Sequence, residues 1–139
     1  MNYDKSFRRR WLSLFVENQI GVLARISGLL SGKSYNIHSL TVGETQDRAI
    51  SRMTVCLDAD DKTFEQIMKQ LNRSIEVIKV IDITDASIRS KEVMFIKIKG
   101  INERDRAEVF QMAQAFKFRI KDMDHNSVLV EAVRTEIVN

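Results

Sequence analysis

Apolar residues in the first part of the chain recur with two spacings, one typical of strands and one typical of helices. In residues 11–17 (WLSLFVE), every second residue from Leu12 is apolar and lies on the same face, which predicts a strand inside a sheet. After the turn signal of residues 18–21 (NQIG), five apolar residues follow at the spacing of one helical face: Val22, Leu23, Ile26, Leu29 and Leu30. We expect this helix to end at Gly32, in the left-handed conformation that glycine adopts readily.

The two spacings repeat up to residue 85. Residues 36–44 (NIHSLTVGE) and 50–57 (ISRMTVCL) are predicted strands, and residues 75–84 (IEVIKVIDIT) are another. Between the last two lies a helix whose apolar face is Phe64, Ile67, Met68 and Leu71, and whose candidate caps are Asp58, Asp60 and Asp61. The order strand, helix, strand, strand, helix, strand predicts a ferredoxin-like α+β domain, with both helices on one face of an antiparallel sheet.

A domain boundary is predicted at residues 85–90, after which the pattern starts again. Residues 93–99 (VMFIKIK) are a predicted strand, residues 103–116 a helix, and two more strands flank a turn at residues 124–127 (DHNS). The candidates for the buried face of that helix are Ala107, Val109, Phe110, Ala113 and Phe116. This second half reproduces two thirds of the first pattern.

The predicted domains follow from this repeat. Residues 9–85 form the complete ferredoxin-like domain, and residues 91–139 form a second, incomplete ferredoxin-like α+β domain that lacks its last helix and strand.

Composition excludes several classes of protein. Of the 139 residues, 44% are hydrophobic and 29% charged, with a net charge of +3, which is ordinary for a soluble globular protein and too balanced for a nucleic-acid-binding tail. Residues 8–10 (RRR) directly precede an apolar run, so we interpret them as the solvated start of a strand. Cys56 is the single cysteine, and no apolar run approaches the roughly 18 residues that span a bilayer. We expect a cytoplasmic protein that binds neither membrane nor nucleic acid.

The sequence Gly32-Lys33-Ser34 is similar to the end of a phosphate-binding loop, but its context is reversed. The motif requires glycine at position 27, where this chain has Ser27, and it requires a strand before the loop and a helix after it. Other catalytic patterns are also missing. His38 and His125 lie on different predicted elements without metal-ligand spacing, and Cys56 is predicted to pack in the core.

The turn after the first strand is the candidate binding feature. Free N–H groups of Gly21, Val22 and Leu23 at the helix start can hold an anion, and glycine lets a ligand approach the backbone. Asn18 either caps the helix or contacts the ligand. Because no Lys or Arg is clustered there in the sequence, a carboxylate fits better than a polyphosphate.

Three segments carry a family resemblance: residues 16–29 (VENQIGVLARISGL), 35–45 (YNIHSLTVGET) and 51–55 (SRMTV). Together with residues 65–84 they resemble the regulatory (small) subunits of acetolactate synthase, nearly without gaps over residues 9–85. The resemblance implies that this first domain is an ACT domain, a ferredoxin-like module that binds small amino acids. It also implies homodimers whose sheets lie side by side, with valine at the interface.

The resemblance further implies a non-catalytic chain. Its partner would be the catalytic (large) subunit, which carries thiamine diphosphate, FAD and magnesium; the small subunit would activate it and make it sensitive to valine, leucine or isoleucine. The positions that match the family's ligand loop are Asn18, Ile20, Gly21, Val22 and Leu23. Asn36 matches an asparagine that reaches the ligand from the partner copy. Ser34 and His38 replace the family's usual Gly and Glu.

A second interpretation stays open: a stand-alone ACT-type amino-acid sensor that acts on a different partner. The same ligand-binding turn and the same fold would serve that function. Only the identity of the partner separates the two hypotheses.

Overall fold

The computed structural model describes residues 5–32 and 35–138, and the chain divides after Ala86 into two units. The elements of the first unit are β1 (Arg8–Glu17), α1 (Val22–Ser31), β2 (Asn36–Glu44), β3 (Ile50–Ala59), α2 (Asp61–Arg73) and β4 (Val77–Asp82). Those of the second are β5 (Ile88–Lys99), α3 (Glu103–Phe116), β6 (Arg119–Met123) and β7 (Ser127–Val138).

The first unit has the predicted ferredoxin-like fold. Its antiparallel sheet has the strand order β2-β3-β1-β4, so β1 is internal, as its alternation predicted. Both helices pack on the sheet face that carries Leu12, Leu14 and Val16, which are at most 2% exposed. Fully burying one such side chain contributes about 1.5–3 kcal/mol, so this face contributes substantially to the unit's stability. The predicted helix faces are confirmed at Ile26 and Ile67, which are buried in the same core, but Leu23, predicted for the face of α1, is 47% exposed.

The helix ends differ in how their backbone groups are hydrogen-bonded. Asp60 is the N-cap of α2 and accepts a 2.6 Å hydrogen bond from the amide of Thr63, as its position predicted. At the end of α1, Gly32 is right-handed, with φ −63°, so the predicted left-handed conformation is wrong. Its amide still donates to the carbonyl of Gly28 at 2.9 Å, and the chain therefore continues the helical turn. Lys33 and Ser34 lie outside the described residues.

The second unit has a three-stranded antiparallel sheet in the order β5-β7-β6, with a small core around Ile101, Val128 and Val130. Helix α3 has the predicted bounds. Of its five predicted buried residues only Ala113 is buried; Val109 is half-buried, and Ala107, Phe110 and Phe116 are exposed. The prediction was wrong for these three because spacing identifies a helix face, whereas three strands cover only part of that face.

The arginines that begin β1 differ from the predicted solvated cluster. Arg8 and Arg9 are exposed, but Arg10 is 4% exposed. Arg10 pairs with Asp61, donates from Nε to the carbonyl of Ala59 at 3.2 Å, and lies over the ring of Phe64 with its Cζ 5.1 Å from the centroid. It therefore ties β1 to the start of α2. In the part of the chain described, no helix has the length and apolarity needed to cross a membrane.

Candidate ligand-binding site

The turn between β1 and α1 is built around a left-handed glycine. Gly21 has φ 84° and ψ −9° and is the N-cap of α1, without a side-chain hydrogen bond at that cap. An L-residue with a side chain pays about 1–2 kcal/mol for this conformation, which explains the glycine. The turn is closed by the amide of Gln19, which donates to the carbonyl of Glu17 at 3.0 Å.

Two of the three predicted amides are available for a ligand. The amide of Val22 donates to the carbonyl of Gln19 at 3.3 Å, so the prediction of a free N–H was wrong at that residue, because the turn folds back on itself. The amides of Gly21 and Leu23 donate to no acceptor within residues 5–32 and 35–138. A helix N-terminus with two such groups favours an anion.

Asn18 joins this turn to a second connection. Its backbone amide donates to the carbonyl of Ala49, and its side-chain Nδ2 donates to the carbonyl of Arg48, both at 2.8 Å. The side chain does not cap α1, because Gly21 occupies that position. Asn18 thus holds the β2–β3 connection against the turn, and its side-chain oxygen stays available to a ligand.

The apolar side chains of the turn divide between core and surface. Val22 is 2% exposed and packs in the core, so only its backbone can face a ligand. Ile20 is 101% exposed and Leu23 is 47% exposed. Two exposed apolar side chains beside two free amides are a suitable arrangement for a ligand that has a carboxylate and an apolar end.

Arg25 is the residue that the sequence interpretation missed. A Cβ placed on Gly21 would lie 3.0 Å from the Nη1 atom of Arg25, so the guanidinium lies directly over the glycine. Arg25 Nε is 2.6 Å from Oε1 of Glu76. The sequence showed no cluster of Lys or Arg at the turn, and the structure places this single arginine there. The available signal was the position of Arg25, one helical turn after Gly21 on the same helix.

Glu76 holds the other end of this ion pair at the connection before β4. Its backbone carbonyl accepts from the amide of Glu17 at 2.9 Å. A hydrogen bond from its own backbone amide, with a smaller contribution from Arg25, lowers the pKa of the Glu76 carboxyl. Glu76 is therefore ionised at neutral pH and anchors the guanidinium beside the turn.

Asn36 lies at the opposite end of the same sheet. It is exposed at the start of β2 and faces Asp58 of β3, whereas Glu17, at the end of β1, faces Ile50 of β3. Those two positions are eight residues apart along β3, about 26 Å at the usual rise per residue. One small ligand cannot touch both the Gly21 turn and Asn36 of the same chain.

A small polar cluster accompanies Asn36. His38 Nε2 is 2.5 Å from Oδ2 of Asp58 and 3.0 Å from Nη2 of Arg9. The hydrogen bond from His38 is the main cause of the lowered pKa of Asp58, and the charge of Arg9 adds to it. Within the described residues, no three His, Cys, Asp or Glu side chains are grouped so as to hold a metal ion.

A cleft and a buried cysteine lie outside the predicted ligand residues. An open cleft of about 570 Å³ is lined by Phe15, Glu44, Thr45, Gln46, Asp47 and Arg52, none of which was a predicted ligand residue. Cys56 is 2% exposed, which confirms its predicted role in packing. Burial raises the pKa of its thiol, so it is protonated and a poor nucleophile.

Comparison with known proteins finds matches along most of the chain. Residues 12–79 match the family model described as "AHAS small subunit-like ACT domain", and residues 91–137 match the one described as "Small subunit of acetolactate synthase". The probable acetolactate synthase small subunit of Archaeoglobus fulgidus is 41% identical over 125 residues, covering 90% of this chain and 77% of the relative. That of Aquifex aeolicus is 39% identical, covering 93% and 67% respectively.

A solved structure agrees with these sequence matches. The crystal structure of the acetolactate synthase small subunit from Thermotoga maritima superimposes with a TM-score of 0.77 at 31% identity. The superposition covers 91% of this chain and 78% of that one. Sequence and fold therefore agree on one family.

Proposed function

Because this chain belongs to the family of acetolactate synthase small subunits, we propose that it activates the catalytic subunit and makes it sensitive to feedback by a branched-chain amino acid, with valine as the first candidate. The chain itself is a regulatory subunit. Thiamine diphosphate, FAD and magnesium would reside on the large catalytic subunit that it binds.

The observation that carries the effector proposal is the turn at Gly21. It presents two unsatisfied amides, a left-handed glycine, and two exposed apolar side chains, Ile20 and Leu23. The carboxylate of valine would accept from the amides of Gly21 and Leu23, and its isopropyl group would contact the apolar side chains. Asn18 would add a polar contact from the end of β1.

A role for Asn36 in the ligand site requires a second copy of the chain. The roughly 26 Å that separate it from the turn exceed the length of any amino acid. A homodimer in which one copy supplies the Gly21 turn and the other supplies Asn36 would bring both to one ligand. In this arrangement, effector binding would be coupled to the geometry of the dimer.

Reconstitution tests the function. The chain is purified with the acetolactate synthase catalytic subunit of the same organism, and acetolactate formation is measured with and without L-valine, the catalytic subunit alone being the control. We expect higher activity in the complex and inhibition by valine only when this chain is present. Complex formation with no effect of valine, leucine or isoleucine would contradict the proposed feedback.

The same experiment separates the alternative function. A stand-alone sensor would bind valine in calorimetry but would neither co-purify with the catalytic subunit nor change its rate. That combination of results would support an amino-acid-binding module that acts on another partner.

A further inference from the structure

We propose that the side of the β5–β7 sheet opposite α3 is a docking surface for an acidic, apolar-centred surface of the catalytic subunit. This inference rests on the proposed function, which supplies the partner, and it adds where on the chain that partner docks. The docking surface, the basic face, is made by the odd-numbered residues of β5 and their neighbours on β7.

Strand register defines which side chains belong to the basic face. Ile98 of β5 lies opposite Val128 of β7, and both pack in the small core with Val109 of α3. Because side chains alternate between the two sides of a strand, the odd-numbered residues of β5 lie on the other side of the sheet. Among the described residues of this unit, α3 is the only helix, so that other side carries none.

Four cations of β5 lie on the basic face without a carboxylate partner. They are Arg89, Lys91, Lys97 and Lys99, and all four are exposed. The residues of β7 that lie opposite the three lysines are Thr135, Leu129 and Ser127. Within the described part of the chain these four cations make no ion pair or side-chain hydrogen bond. The acid of β7 on this face, Glu131, is already paired with Lys121 at 3.4 Å.

The first unit neutralises its arginines, which makes the unpaired row on β5 distinctive. Arg8, Arg9 and Arg25 lie 3.0, 3.5 and 2.6 Å from the carboxylate oxygens of their partners, and Arg10 pairs with Asp61. Like charges on one side of a strand repel each other. A partner that brings carboxylates to the basic face would relieve this repulsion.

An apolar patch separates the two pairs of cations on the basic face. Val93 and Phe95 lie between them along β5 and are 56% and 59% exposed. Val133, which lies opposite Val93 on β7, is 49% exposed. Protein interfaces commonly combine an apolar centre with a polar rim. The matching surface of the partner is therefore apolar at its centre and acidic around it.

Charge and composition decide between the possible occupants of this face. A second copy stacked on it would bring two rows of cations against each other, and their repulsion would oppose the contact. Single-stranded nucleic acid binds on aromatic platforms, whereas the described residues of the basic face offer Phe95 alone. An acidic protein surface uses both the cations and the apolar patch.

The test measures binding of the full-length chain to the catalytic subunit of the same organism by biolayer interferometry, at about 0.05 M and about 0.3 M NaCl. Lys91→Glu combined with Lys97→Glu should weaken binding at low salt by about tenfold or more, mainly through slower association. Higher salt should reduce this difference, because salt screens exposed charges. Phe95→Ser should weaken binding to a similar extent at both salt concentrations, because an apolar contact is not screened.

Lys62→Glu combined with Lys79→Glu is the matched control. It reverses two exposed lysines in the first unit and so changes the net charge of the chain by the same amount. This variant should bind the catalytic subunit with nearly wild-type affinity. Thermal unfolding checks the fold of every variant, and Lys91→Gln combined with Lys97→Gln gives a milder test of the same two positions.

The outcomes separate this inference from the proposed function. A wild-type chain that binds the catalytic subunit while the basic-face variants bind equally well would overturn the docking surface and leave the proposed function standing. An equal loss in the matched control would also overturn it, since net charge would then explain the effect. Loss of binding to a single-stranded DNA oligonucleotide, with unchanged binding to the catalytic subunit, would assign the face to nucleic acid instead. Failure of the wild-type chain to bind the catalytic subunit would overturn both proposals.

Discussion

Replacing Gly21 by Asp should strongly weaken effector binding while leaving the fold intact. The left-handed backbone at φ 84° costs an L-residue about 1–2 kcal/mol, and Asp tolerates it better than most residues. The new side chain would meet the Arg25 guanidinium, the flexible end of an exposed side chain that can move aside. A loss of about 1–2 kcal/mol is a fraction of the roughly 5–15 kcal/mol that a native domain has in reserve.

The effect on the ligand is larger than the effect on folding. The added carboxylate occupies the space above the two free amides and repels the effector's carboxylate. At about 4 Å this repulsion is about 1 kcal/mol in bulk water and about 4 kcal/mol at the effective dielectric of a protein surface. The charge alone should therefore reduce affinity by at least about fivefold, in addition to the loss of space.

Gly21→Asn is the control that separates charge from shape. Asn has the same size and also tolerates the left-handed region, so thermal unfolding should show similar losses of stability for the two variants. Calorimetry with L-valine should show weaker binding to the Asp variant than to the Asn variant. Equal affinities of the two variants for valine, or wild-type affinity in both, would refute the assignment of an anion site to this turn.

Three further predictions concern Asn36, Arg10 and Asp58. Asn36→Ala should weaken valine binding by about 1–3 kcal/mol, and mixing that chain with Gly21→Asp should restore one intact site per heterodimer in calorimetry; no restoration would place Asn36 outside the ligand site. Arg10→Ala should lower the free energy of unfolding of the first unit by about 1–3 kcal/mol in urea, because it removes a buried hydrogen bond to Ala59. A loss below about 0.5 kcal/mol, the level of an ordinary surface substitution, would contradict the structural role of Arg10. Asp58 contributes stability above its ordinary pKa of about 3.9, and this stability is lost as the pH falls through the lowered pKa of the folded state. The difference in free energy of unfolding between wild type and Asp58→Asn should therefore shrink in acid. A difference that stays constant from pH 5 to pH 2 would contradict this linkage.

The helices and strands of both units could be predicted because their signals are local. Alternation and helical spacing act over a few residues, and they gave the strand at residues 36–44 and the helix at residues 103–116 with their observed bounds. The left-handed conformation was predicted at Gly32, but Gly21 is the glycine of α1 that adopts it.

What escaped prediction depends on contacts between distant segments. The burial of Arg10 requires the start of α2 to lie beside β1, and the placement of Arg25 over the turn requires Glu76 from the connection before β4. The exposure of Phe116 depends on how much sheet is present to cover α3. Periodicity says which side chains share a face, whereas these outcomes depend on what the fold brings opposite that face.

The candidate site also explains how a small ligand can affect more than its own turn. Three connections meet at one end of the sheet: Asn18 bonds the β2–β3 connection at Arg48 and Ala49, and Arg25 bonds the α2–β4 connection at Glu76. A ligand that orders the Gly21 turn would restrain all three, because they share hydrogen bonds and an ion pair. Its contact with Asn36 of a second copy would add a preference for one dimer geometry. A ligand shifts the equilibrium between two dimer geometries only by the difference between its affinities for them. Removing either the turn contacts or the Asn36 contact should therefore reduce the regulatory effect.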